Sequence, residues 1–272
     1  MALFRKDAAL IAFISYLTGS EIAGSADGSD VIAAICITLF PVNFIYSFNS
    51  WADVNIDKLS KPHRPLPSGQ LKPVHALVYS CALLLISIVY PFFIYSKFTP
   101  IFLCLLLPFL GLLYSARPIR LRDRPFASIL IICLGLNTPM LTGYLSKSTD
   151  FSHIFLFLII GLYCLAVVPL KKIEELDEDK EEGVLNLYGL WGSSLFIHSS
   201  SLLCLTLPLL LCIPLPMAVK IFALSLIGST IITIAIFIKF NINLDFIYNT
   251  IIRIVIAESI PFLLYIKMGS PC

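Results

Sequence analysis

Charge is the scarcest thing in this sequence. Asp, Glu, Lys and Arg make up only 13% of its 272 residues, against about 25% in a soluble domain. Apolar residues supply 58% and the mean hydropathy is +0.92, so the chain is built for lipid. Net charge is also nearly absent, at +2, and no nucleic-acid partner is indicated. No CxxC pair occurs among the eight cysteines. Most of these lie inside apolar runs, where Cys behaves as a small hydrophobe, which argues against a zinc site or a disulfide framework. Long polar linkers and low-complexity tracts are missing too. The chain therefore reads as a single domain, residues 1–272, with no soluble appendage.

What is there is a series of apolar runs. A membrane helix needs about 20 mostly apolar residues. The sequence predicts nine, at 8–24, 31–50, 74–96, 99–115, 126–145, 152–170, 192–213, 217–238 and 247–266. The fold class is thus all-α and polytopic. The first run also has features of a signal peptide: Arg5-Lys6, a short apolar stretch and small residues near Ala23–Ala26. It is read as a retained helix because the charge pattern works with it in place. Lys and Arg collect on the cytoplasmic side of a membrane. Of the 19 here, 15 fall before span one, in the loops after spans two, four, six and eight, or at the start of span nine. The N-terminus and the even-numbered loops are therefore expected in the cytoplasm and the C-terminus outside.

Three of those loops carry the chemistry. After span two, Asn49, Asp53 and Asp57 follow at four-residue steps, which places them on one helix face as a stripe of oxygen ligands. Two carboxylates one turn apart repel unless a cation lies between them, and hard oxygen ligands suit Mg²⁺. Lys61 and Arg64 follow in a turn stiffened by Pro62 and Pro65. After span four, YSARPIRLRDR (114–124) offers Arg117, Arg120, Arg122 and Arg124 as guanidinium forks for phosphate. Tyr114 and Ser115 add hydroxyls. After span six, seven of the nine residues in EELDEDKEE (174–182) are acidic, and Glu175 and Asp179 repeat the i, i+4 spacing. The first and third segments look like a weak internal repeat at one membrane face. Two such pairs would form a site for two or three Mg²⁺ ions. A diphosphate on a greasy tail is the ligand that needs that much divalent charge beside lipid.

Other polar residues are placed with less chemistry. Asn43 and Tyr46 lie deeper than Asn49, and Asn137 and Glu258 are intramembrane candidates. Glu258 is expected to pair with Arg253 or to pack between helices. His153 and His198 are read as structural.

These motifs resemble the UbiA superfamily of intramembrane prenyltransferases. The family's NxxxDxxxD is matched by Asn49, Asp53 and Asp57, and its following loop by His63-Arg64-Pro65-Leu66-Pro67-Ser68-Gly69. Its middle loop is matched by Tyr114, Ser115, Pro118, Arg120, Leu121 and Arg122. Its second acidic motif is matched at Lys171, Ile173, Asp179 and Lys180. There Glu175 replaces an Asp, Lys172 replaces the first Asp and Glu178 replaces a Gly. The resemblance implies Mg²⁺ held by Asn49, Asp53, Asp57, Glu175 and Asp179, which are also the catalytic set. It implies a prenyl diphosphate bound by Lys61, Arg64, Tyr114, Ser115, Arg117, Arg120 and Lys171, and transfer to an aromatic or lipid-like acceptor in the membrane. A terpene cyclase of the same superfamily is the rival enzyme. A transporter or inactive scaffold is the rival from another class, and the position of the charges at one membrane face argues against transport.

Overall fold

The structure is a computed structural model and describes residues 5–24, 26–149, 154–181, 183–212, 217–240 and 242–269. No strand occurs among them. Helix occupies each of the nine stretches read as spans. By length and composition, five helices among the described residues can cross a membrane: Gly28–Ala52, Pro73–Ile94, Phe98–Ser115, Pro125–Lys147 and Lys220–Lys239. His153 lies outside the described residues.

The chain divides into two compact units. Residues 1–124 and 138–148 form the first. Its helix α1 is Lys6–Ala23, and α2 is Gly28–Ile37. Helix α2 starts where the Asp27 carboxylate accepts from the Ser29 and Asp30 N–H groups and Asp30 accepts from Asp27 N–H in return. This reciprocal cap satisfies amides that a helix start leaves open. Pro41 has no N–H, and the turn Thr38–Val42 widens around it before α3, Asn43–Ala52, resumes. Then follow α4 (Val54–Ser60), α5 (Pro73–Val89), α6 (Pro91–Ile94) and α7 (Phe98–Ser115). Tyr16, Ala34, Ile37, Val42, Cys104 and Leu107 form this unit's core.

The first helix is an integral part of that unit. A Cβ on Gly19 would stand 1.9 Å from the Met140 carbonyl oxygen, and one on Gly143 would stand 2.1 Å from that of Tyr16. Ser20 Oγ donates to the Gly143 carbonyl across the same contact, at 3.3 Å. Small residues let two backbones touch where lipid offers no hydrophobic drive for association.

Helix α8, Pro125–Lys147, carries the chain from one unit into the other and back. The second unit comprises residues 125–137 and 149–272. It contains α9 (Ile154–Val167), a 3₁₀ turn (Val168–Leu170), α10 (Lys171–Glu174), α11 (Leu176–Glu181), α12 (Leu187–Trp191), α13 (Ser194–Cys212), α14 (Met217–Lys239) and α15 (Ile247–Gly269). Ala166, Leu170, Leu187, Leu203, Ile234 and Ile247 are among its core residues. On the outside, Leu85, Phe93 and Phe98 of the first unit and Ile197 and Ile232 of the second are more than half exposed. Such a surface is matched to lipid rather than water.

Candidate functional site

The first ladder is not one unbroken helix. Asp53 leaves helical geometry, with φ −101° and ψ 10°, and separates α3 from α4. The stacking survives because Asp53 N–H donates to the Asn49 carbonyl at 2.9 Å and Asp57 N–H donates to that of Asp53 at 2.8 Å. The three side chains keep their common face. Asn49 Nδ2 donates to Asp53 Oδ2 at 2.7 Å and to Ser115 Oγ at 3.2 Å.

Asp53 is the hub. Its side chain is 4% exposed, with Arg120 Nη2 at 3.0 Å from Oδ1 and Arg122 Nη1 on Oδ2. Arg120 holds φ +35°, a left-handed conformation that a non-glycine residue rarely adopts. Strain of that kind persists where surrounding contacts over-determine it, and here two ion pairs do so. Asp123 supports both guanidinium groups, lying 3.3 Å from Arg120 and 3.7 Å from Arg122. Asp57 pairs with Arg64 at 2.9 Å and Lys61 at 3.9 Å. Asp53 and Asp123 thus meet two guanidinium groups, and Asp57 meets Arg64 and Lys61.

The turn after the ladder is ordered, as its prolines predict. Ser68 N–H donates to the Arg64 carbonyl, Leu71 N–H to that of Pro65, and Leu66 is buried beneath. Gly69, at φ +80°, closes it. Arg117 and Arg124 are exposed, and neither they nor Tyr114 joins the Asp53 network among the described residues. Asp123 was not singled out in the sequence. Its signal is an acid placed between arginines in RLRDR.

The second ladder has the same backbone. Glu175, at φ −97° and ψ 3°, interrupts the helix between α10 and α11 as Asp53 does between α3 and α4. Asp179 N–H donates to the Glu175 carbonyl at 2.9 Å, and Gly183, at φ +67°, ends the segment. Its charges are arranged differently. Lys171 Nζ lies 2.5 Å from Glu175 Oε1, and Lys172 Nζ lies 2.8 Å from Glu175 Oε2 and 3.5 Å from Asp179 Oδ2. Burial alone would raise the Glu175 carboxyl, but the two ammonium groups outweigh it and hold it below the usual carboxylate range. Asn186 Nδ2 reaches Asp179 Oδ2 at 2.6 Å and the Lys172 carbonyl at 2.8 Å, while its Oδ1 caps α12. The sequence signal for Asn186 is that of an N-cap before a short apolar helix. Asp177 is exposed and paired only loosely with Lys180. The Glu174 and Glu178 side chains, and all of Glu182, lie outside the described set.

Away from the ladders, Glu258 does not pair with Arg253. Arg253 is exposed, and among the described residues Glu258 Oε2 is buried without a hydrogen-bond partner. Asn137 returns its amide to the Cys133 carbonyl, Asn43 donates to the Tyr79 hydroxyl, and His198 packs on Trp191.

Among the described residues no three His, Cys, Asp or Glu side chains converge as a ready metal cage. Mg²⁺ does not need one, since it is commonly held by one or two carboxylates together with waters and substrate phosphates. The oxygen donors of Asn49, Asp53 and Asp57 fit that description.

The model of the UbiA prenyltransferase family matches residues 9–245. Digeranylgeranylglyceryl phosphate synthase of Methanosphaera stadtmanae is 27% identical over 236 residues, covering 86% of this chain and 82% of the relative. Naringenin 8-dimethylallyltransferase 2 of Sophora flavescens is 26% identical over 58% of this chain and 40% of its own length. Among solved structures, a UbiA homolog from Archaeoglobus fulgidus bound to GPP and Mg²⁺ superposes with a TM-score of 0.80. It is 18% identical, and 98% of each chain is covered.

Proposed function

Because this chain belongs to the UbiA prenyltransferase family, we propose that it transfers an isoprenyl group from a prenyl diphosphate to a lipid-like acceptor of the glycerol phosphate class within the membrane. The observation that carries the reading is Asp53. It is a buried carboxylate held by two guanidinium groups, stacked between Asn49 and Asp57 at the end of an apolar span. A lone structural aspartate does not need two arginines, one of them in a strained backbone.

Asn49, Asp53 and Asp57 would hold Mg²⁺, which when bound neutralises the diphosphate and stabilises it as a leaving group. Arg120, Arg122 and Arg64 present planar forks that match phosphate oxygens as well as they match carboxylates. Lys61 and Ser115 add further donors. In the reaction the allylic C–O bond breaks and pyrophosphate leaves with the electron pair. An acceptor oxygen then supplies the pair for the new bond and gives up its proton. Guanidinium groups held in place beside Asp53 favour the departing anion, and preorganised charge of this kind costs no reorganisation at the moment of reaction.

The relatives named digeranylgeranylglyceryl phosphate synthase support the lipid acceptor. The plant dimethylallyltransferase keeps an aromatic acceptor as the second reading. Membranes containing the protein, given Mg²⁺ and labelled geranylgeranyl diphosphate, should move label onto a geranylgeranylglyceryl phosphate acceptor. Label appearing only on phenolic acceptors would favour the second reading. Diphosphate release with cyclised product and no acceptor would replace transfer with cyclisation.

A further inference from the structure

We infer that the ammonium of Lys172 stands in for a divalent ion in the second ladder, so that Glu175 and Asp179 hold no metal. The chain's Mg²⁺ chemistry then rests on the Asn49–Asp53–Asp57 stripe. The inference deepens the prenyl-transfer reading and rests on it for the role of Mg²⁺. It departs from the expectation that both acidic pairs are metal ligands.

Two carboxylates one helical turn apart need a cation between them, and in the second ladder the chain supplies its own. Lys172 Nζ touches both Glu175 and Asp179, and its side chain is 4% exposed. The other Glu175 oxygen is taken by Lys171, and Asp179 Oδ2 is also held by Asn186. Among the described side chains, two ammonium groups face the two carboxylates.

The tether matters as much as the charge. Lys172 lies on α10, three residues before Glu175, and Asn186 holds its carbonyl. The ammonium is carried by the segment that presents the carboxylates, so it does not depart with a separate loop. A Mg²⁺ ion entering between them would meet that buried positive charge at short range, where little water screens it. The ion also demands near-ideal octahedral oxygen geometry and gives up its waters reluctantly.

The first ladder differs at Asp53. Its guanidinium groups come from a separate loop and a following turn, on Arg120, Arg122 and Arg64, and its one paired local ammonium, Lys61, lies 3.9 Å from Asp57 among the described residues. Guanidinium groups on such segments can exchange a carboxylate for a phosphate while the helix stays intact. No lysine or arginine stands beside Asp53 in sequence as Lys172 stands near Glu175.

The test counts bound Mn²⁺ by electron paramagnetic resonance on the full chain in detergent, with inorganic pyrophosphate as the anion. Glu175→Gln should bind as many ions as the unsubstituted protein, whereas a lost ion would overturn the inference. Lys172→Asp should bind an additional ion, and Glu175→Gln in that background should remove it. A folded Lys172→Asp chain, judged by its thermal transition, that gains no ion would also overturn it. The Glu175→Gln comparison leaves Lys172 untouched and decides the matter if Lys172→Asp does not fold. Asp53→Asn reports on the prenyl-transfer reading instead. If it keeps its ion, the first ladder's metal role fails, while the Glu175 arm still judges Lys172.

Discussion

Asp53 and its two arginines show how position within one loop separates cations that meet a buried carboxylate from cations that face outward. Arg117, Arg120, Arg122 and Arg124 are nearly equivalent in sequence, yet only Arg120 and Arg122 reach a buried carboxylate. Asp53→Asn should abolish Mg²⁺-dependent turnover while the protein still inserts and folds. Arg122→Ala should lower kcat/KM for the prenyl diphosphate by about 10- to 100-fold, from about 1.5–3 kcal/mol per lost charged hydrogen bond. Arg117→Ala should leave it unchanged. Steady-state kinetics on the three variants checks all of this, and equal losses in Arg117→Ala and Arg122→Ala would return the loop to a purely topological role. Arg120 is a poorer probe, because removing it also releases a strained backbone. Cys36, Cys81, Cys104, Cys133, Cys164 and Cys204 are free thiols, three of them buried.

At the level of elements, the two ladders are one device built twice. Each has an acidic residue at a helix interruption with nearly the same backbone angles, a second acid four residues later, and a left-handed glycine beyond. They differ in where the neutralising charge comes from: other segments for Asp53, its own helix for Glu175. The contact between α1 and the C-terminal half of α8 is a different kind of element-level fact, set by the absence of side chains. Gly19→Ala should lower the thermal midpoint in detergent, because its Cβ would meet backbone rather than a flexible side chain. Overpacking of this kind costs about 1–3 kcal/mol. Gly228→Ala, with nothing within 4 Å, is the control and should be neutral or stabilising. Equal midpoints for the two variants would mean that α1 does not pack where it is drawn.

At the scale of the molecule, five apolar helices and the family match make this an integral membrane protein. The charge asymmetry predicts its orientation. Single cysteines placed in the loop 58–72 should react with impermeant reagents only from the cytoplasmic side, and one at residue 97 only from the opposite side. The reverse pattern would invert the topology. Solvent, fold class and the two ladders were legible in the chain itself, because apolar length, charge bias and four-residue spacing are local properties and need no partner to be read. The order of the turn after Asp57 was legible for the same reason, since Pro62 and Pro65 restrict their own backbone. What the chain could not disclose were the contacts made across tens of residues. The choice of Arg122 over Arg117 as a partner for Asp53, the support from Asp123, the grip of Asn186 on Asp179 and the meeting of Gly19 with Met140 all depend on where a folded backbone aims a side chain. The ammonium of Lys172 lies between the two readings. Its position in sequence made it a departure from a familiar motif, and only its burial between Glu175 and Asp179 gave that departure a physical role.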